Sequence, residues 1–266
     1  MGINKNSYRV IKFKSCRVKK AKDCKLLDSK TPKLQNFIKV AVLASGGGTN
    51  LQALIDNLQV NKFTSQQVKR ARILLVVSNN PDAYALVRAQ KAGIERLVLS
   101  EKKFRSRPEY AKALVRELKK RKIDLVCLAG FMIILDPYFV RHFKNRMLNI
   151  HPALLPAFGG SGMYGHHVHE AVLNSGAKVS GCTVHFVDEG CDTGPIVLQK
   201  VVPVLDNDTP QTLAKRILKF EHQIYPEAVK LFAEGRLKIE GKRVKITQNA
   251  KVKSQKPLPI LSASRL

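Results

Sequence analysis

Tryptophan is absent from this chain, acidic side chains are few, and cysteine occurs only as Cys16, Cys24, Cys127, Cys182 and Cys191. An odd cysteine count with no C-x-x-C pair argues against a disulfide framework and a zinc knuckle, and a reducing compartment is expected. No apolar run reaches the roughly 18 residues that a membrane-spanning helix needs, so no membrane partner is expected. Only 20 Asp and Glu stand against 47 Lys and Arg, leaving a formal net charge of +27. So basic a chain invites a nucleic-acid reading. The distribution argues otherwise. Residues 1–39 hold twelve Lys and Arg against Asp23 and Asp28, and the last twenty residues add Lys251, Lys253, Lys256 and Arg265 without an acid. The remaining surplus is spread over a body with no RNP-type aromatic pattern. We expect no nucleic-acid partner, and a basic surface that attracts anionic substrates.

Both ends differ in composition from the body. Residues 1–37 form a basic leader, as in Arg9-Val10-Ile11-Lys12-Phe13-Lys14, without an apolar stretch of the about 7–15 residues found in a secretory signal. This composition fits an organelle transit peptide, with a basic arm on a cytosolic protein as the alternative. Residues 38–246 form one domain of ordinary size. Residues 247–266 lack hydrophobic periodicity and are expected to be a flexible basic tail.

Within the body, apolar runs alternate with segments of helical spacing. Ile38–Ala44 reads as a buried strand, and Leu51, Leu54, Ile55 and Leu58 recur as on a helix. Further strands are expected at Ile73–Val77, Arg96–Leu99, Leu125–Ala129 and Met147–Ile150, and helices at Ala83–Ala92, about 108–121 and Leu135–Phe143. Val179–Val187 alternates and includes His185. A turn-rich loop from Asp188 to Pro195 joins it to a hairpin partner, Ile196–Val204, and a long amphipathic helix follows from Pro210 to Phe232. This order predicts an α/β fold with an open, mostly parallel twisted sheet, Rossmann-like, with a C-terminal hairpin and a long helix.

In such sheets ligands bind at the carboxyl ends of the strands. Three polar or glycine breaks fall there. Ser45-Gly46-Gly47-Gly48-Thr49-Asn50 joins the first strand to the first helix and is expected to set backbone N–H groups where a phosphate could sit. It is neither G-x-G-x-x-G nor a P-loop, and Ser78-Asn79-Asn80-Pro81 stands where a dinucleotide fold wants an acid. Gly130-Phe131-Met132 closes another strand. Asn149 and His151, at i and i+2, point to one side of a strand end that Pro152 and Pro156 then break. They offer an amide and a titratable imidazole to one small volume, although a buried His and Asn satisfied by backbone would look the same in sequence. His166, His167 and His169 invite a metal reading, but no partner Asp, Glu or Cys is expected at ligand spacing, and no metal is expected.

Six motifs then occur in order: Ala44-Ser-Gly-Gly-Gly-Thr-Asn-Leu-Gln-Ala-Leu54, Ala129-Gly-Phe-Met132, Asn149-Ile-His-Pro-Ala-Leu-Leu-Pro156, Gly181-Cys-Thr-Val-His185, Asp192-Thr-Gly-Pro195 and Glu221-His-Gln-Ile-Tyr-Pro226. Together they resemble the phosphoribosylglycinamide formyltransferase family of purine synthesis, over about residues 38 to 246. The resemblance implies direct formyl transfer from 10-formyltetrahydrofolate, as co-substrate, to the amine of glycinamide ribonucleotide. It implies Asn149, His151 and Asp192 as catalytic residues, with Asp192 orienting His151 and raising its pKa. Gly48, Thr49, Asn50 and Glu221 match the ribonucleotide positions. Arg107, Met132, Ile133, Ile134, Leu135 and Asn149 match the folate positions. Ile133 departs from a bacterial Arg, and the longer glycine loop 159–165 has no Lys at 157. The leader looks like that of a plant member, which implies a chloroplast location, with mitochondrion or cytosol as alternatives. A monomer or homodimer is expected. Methionyl-tRNA formyltransferase and formyltetrahydrofolate hydrolase share the catalytic set, but each is expected to carry a further domain. A basic RNA-binding module is the non-enzymatic alternative.

Overall fold

The computed structural model describes residues 37–58 and 71–248. The basic leader expected over residues 1–37 (apart from Phe37) and the flexible tail expected over residues 247–266 (apart from residues 247 and 248) lie outside the described residues. In chain order the elements are β1 (Ile38–Leu43), α1 (Thr49–Leu58), β2 (Ala71–Ser78), α2 (Tyr84–Lys91), β3 (Glu95–Val98), α3 (Arg107–Lys120), β4 (Leu125–Leu128), α4 (Pro137–His142) and β5 (Met147–His151). They continue with α5 (His166–Asn174), β6 (Val179–Phe186), β7 (Ile196–Pro203), α6 (Pro210–Ala233), β8 (Leu237–Glu240) and β9 (Arg243–Ile246).

Among the described residues, nine strands join one sheet in the order β3-β2-β1-β4-β5-β6-β7-β9-β8. Five of its eight pairings are parallel, so the mostly parallel sheet expected from the alternation is present. The central strands read as continuous apolar runs because both faces are covered. Val40 and Val42 of β1 pack toward α1, α2, α5 and α6, while Ala41 and Leu43 pack toward α3 and α4.

Helix boundaries follow their caps. Ser106 caps α3 by accepting from Glu109 N, with Pro108 in the first turn. Asp136 caps α4 by accepting from Tyr138 N, so the helix expected from Leu135 begins instead at Pro137. Thr209 and Thr212 form a reciprocal capping box at the start of α6. The β8–β9 hairpin is an addition to the expected elements, and so is α5, which forms over the histidine run that follows the glycine loop.

The site is positioned by the order of the strands. From β1 the chain winds outward through β2 to β3, then returns to place β4 on the other side of β1. The reversal opens a crevice at the carboxyl ends of β1 and β4. Hydrogen bonds across it fix the two loops, Ser45 N donating to Gly130 O (3.0 Å) and Met132 N to Ser45 Oγ (2.9 Å). Below them, the buried Tyr225 hydroxyl of α6 lies 2.8 Å from Leu128 O and 3.1 Å from Leu148 O, tying α6 to β4 and β5.

Candidate active site

A cavity of about 930 Å³ lies at this edge of the sheet. Thr49 and Asn50, Gly130 to Leu135, Asn149 to Pro152, the loop from Gly160 to His166, the loop from Val187 to Asp192, and the α6 face bearing Lys215, Leu218 and Glu221 all line it.

Asn149 and His151 end β5 and share one face of the strand, as their spacing predicts. Antiparallel pairing sets His185 of β6 opposite Asn149. Asp192 reaches the same point from the β6–β7 loop, in a left-handed conformation (φ 58°) that Asp and Asn tolerate better than other side chains. Its carboxylate is the hub. Oδ1 lies 3.4 Å from Asn149 Nδ2 and 3.5 Å from His185 Nε2. Oδ2 accepts from Gly160 N (3.1 Å) and lies 3.5 Å from His151 Nδ1. Asn149 Nδ2 also lies 3.2 Å from His185 Nε2, while His185 Nδ1 contacts Phe186 O at 2.8 Å. His151 Nε2 donates to Phe158 O at 2.8 Å, which turns Nδ1 toward Asp192.

His151 is buried, and burial sets its acidity. Desolvation penalises the imidazolium and carries the pKa below its usual 6.5, assisted by His185; Asp192 and the Phe158 carbonyl push the other way and are outweighed. Asp192 does raise the pKa of His151, as expected, but burial outweighs it, so the carboxylate moderates a net depression. Burial also opposes ionisation of Asp192, yet the His185 hydrogen bond, His151 and the Gly160 amide together hold its pKa below the usual 3.8.

Asn50 Nδ2 donates to Glu221 Oε2 at 2.6 Å, joining α1 to α6 across the cavity. Asn50 Oδ1 is buried and has no hydrogen-bond partner among the described residues. Burial raises the Glu221 pKa against the opposing Asn50 hydrogen bond. Met132 and Ile134 expose more than half their surface beside Ile133 and Leu135 on the same wall.

Two expected site residues stand outside the lining. Gly48 shapes the loop: a Cβ there would come within 2.8 Å of Ala85 Cα, and its φ of +69° is one that glycine accepts. Arg107 is exposed in the first turn of α3 and is not brought to the cavity.

His185, His169 and Lys215 line the site without having been assigned to it. His185 was legible as the cross-strand neighbour of Asn149 once the hairpin is paired with β5. His169 is buried on α5, its pKa lowered by desolvation and then by His151, and its Nδ1 has no partner among the described residues. The expectation that no acid stands at ligand spacing from the histidine run is corrected: Glu170 follows His166 and His167 at i+4 and i+3.

A family model described as Formyl transferase matches residues 38–229. The chain belongs to the formyl transferase family. Among relatives of this formyl transferase, phosphoribosylglycinamide formyltransferase of Escherichia coli is 42% identical over 202 residues, 76% of this chain and 90% of that protein. The chloroplastic phosphoribosylglycinamide formyltransferase of Arabidopsis thaliana is 42% identical over 212 residues, 79% of this chain and 70% of that protein. The trifunctional purine biosynthetic protein adenosine-3 of Drosophila melanogaster is 48% identical over 197 residues, 74% of this chain but only 14% of the longer protein. Among solved structures, glycinamide ribonucleotide transformylase 1 from Symbiobacterium toebii superposes with a TM-score of 0.74 at 46% identity, covering 80% of this chain and 95% of that one.

Proposed function

We propose that this formyl transferase moves a formyl group from 10-formyltetrahydrofolate to the primary amine of glycinamide ribonucleotide, a step of purine synthesis. The observation that carries this reading is the meeting of Asn149, His151 and Asp192 in one cavity with the Asn50–Glu221 pair. Relatives named for that reaction support it.

The amine nitrogen attacks the formyl carbon, and the carbonyl oxygen becomes an oxyanion. Asn149 Nδ2 is the donor for that oxygen, giving up its longer bond, the 3.4 Å contact to Asp192. The amine must lose a proton and N10 must gain one. His151 is suited to carry it. A depressed pKa leaves the imidazole neutral near pH 7, Nε2 is committed to Phe158 O, and Nδ1 is the nitrogen that takes the proton. The imidazolium so formed sits between Asp192 and the Phe158 carbonyl until the proton passes to N10. The carbon–N10 bond then breaks, the carbonyl reforms, and the products are the formamide and tetrahydrofolate.

The ribonucleotide phosphate is assigned to the N-terminus of α1, with Thr49 and Asn50, where backbone N–H groups and the helix dipole favour an anion. Glu221 is assigned to the substrate amide, and the folate to the wall of Met132, Ile133, Ile134 and Leu135. Arg107 receives no contact in this assignment. A plastid location, in keeping with the name of the Arabidopsis relative, belongs to the same proposal.

The test is a spectrophotometric assay of the full chain with 10-formyltetrahydrofolate, with and without glycinamide ribonucleotide. Turnover that requires the ribonucleotide is the expected result. Turnover without it would assign hydrolysis instead, and none in either case would overturn the reading.

A further inference from the structure

We propose that His166, His167 and Glu170 form a binding site for a borderline divalent cation of the zinc class on the rim of the cavity. The three side chains lie in the first turns of α5, and one donor atom from each falls within 4.8 Å of the others. Glu170 divides its carboxylate between the rings, Oε1 lying 4.0 Å from His166 Nε2 and Oε2 3.6 Å from His167 Nδ1. Tetrahedral coordination with ligands at ~2.0–2.2 Å sets donors about 3.4 Å apart, so closure needs movements of about an ångström. The side chains are free to make them, with relative exposures of 64%, 46% and 47%.

The donor set selects the cation class. Two imidazoles and a carboxylate suit zinc, and a water completes the tetrahedron. Calcium and magnesium, which prefer all-oxygen shells, are disfavoured. The surroundings pre-orient the ligands. The two imidazoles lie ring to ring at 4.0 Å, and Tyr164 meets His167 edge-on at 5.3 Å. Gly165, with φ 55° and ψ −130°, makes the turn that starts the helix at His166.

Occupation would staple the opening of α5. Side chains at i and i+3 or i+4 meet on one helix face, so a cation held there fixes that turn. His166 lines the cavity and His169 is buried against it. The cation would therefore restrain one rim of the site without touching Asn149, His151 or Asp192. This inference stands apart from the assignment of substrates.

The test is calorimetric titration of Zn²⁺ into the full chain and its His167→Ala and Glu170→Gln variants, followed by amide hydrogen exchange. We expect one binding event in the parent that weakens at least tenfold in each variant, with Zn²⁺ slowing exchange over residues 166–170 in the parent alone. Binding of equal affinity in all three proteins would place the ion elsewhere and overturn the proposal. Absence of saturable binding, or unchanged exchange in α5, would overturn it too.

Discussion

Asp192→Asn isolates the charge at the hub of the site. Asparagine is chosen because it keeps the shape and accepts the left-handed backbone at φ 58°, which alanine accepts less readily. The amide cannot match every partner: Oδ1 faces Asn149 Nδ2 and Oδ2 faces Gly160 N, so either orientation sets a donor against a donor. The larger loss is electrostatic. At 3.5 Å a carboxylate and an imidazolium interact by about 5 kcal/mol at an effective dielectric of ~20. The amide dipole retains part of this, leaving about 3 kcal/mol of lost imidazolium stabilisation, or about a hundredfold in kcat at ~1.36 kcal/mol per decade. The assay is initial-rate formyl transfer with both substrates saturating. A parallel NMR titration should place the His151 pKa still lower than in the parent, because the group that opposes its depression has gone. A kcat within about threefold of the parent, in a folded variant, would refute the proton-carrier role, since positioned acid–base groups contribute about 10²–10⁴.

Asn50→Ala should raise the KM for the ribonucleotide while leaving that for the folate near the parent value; the reverse pattern in steady-state kinetics would move the phosphate away from α1. Gly48→Ala should lower stability by about 1–3 kcal/mol in urea denaturation, because its Cβ meets Ala85 at 2.8 Å and its φ is +69°. Gly47→Ala, with nothing within 4 Å of the added carbon, should be close to neutral, and equal losses would undo the packing account. Stability should also depend on pH. His151, His169 and His222 have folded pKa values below the usual 6.5, so the unfolded chain binds more protons there and stability falls as pH drops through that value. Glu221 runs the other way: its pKa is raised from 4.5, and the stability it contributes in acid is lost as pH rises through the folded value. Urea midpoints that do not decline below pH 6.5 would show that these histidines are not desolvated as described.

The sheet was legible because its central strands are buried on both faces and must be apolar throughout. Val40 to Leu43 and Leu125 to Leu128 could hardly be anything else. Asn149 and His151 stood out as polar interruptions of such a strand. The β8–β9 hairpin was not legible, because Leu237-Lys-Ile-Glu240 and Arg243-Val-Lys-Ile246 are short, charged and half-exposed, so burial imposes little pattern on them. The sign of the His151 shift was hidden for a different reason. Sequence names the neighbouring carboxylate, but the extent of desolvation depends on how Phe158 and the surrounding chain close over the ring. His185 needed the strand register, which follows from pairing and not from local composition.

The hydrogen bond from Asn50 to Glu221 spans 171 residues of chain, and this fixes when the site can exist. A ribosome releases the glycine loop and β1 early and α6 late. Until α6 docks, Asn50 lacks its acidic partner, and the carbonyls of Leu128 and Leu148 lack the Tyr225 hydroxyl. Such distant contacts form only after large loops have closed, which slows their assembly. A nascent chain that ends before α6 thus lacks one wall of the cavity. Competence arrives with the last long helix, so a small molecule that stabilises the finished cavity gives no help to the chain while it is being made.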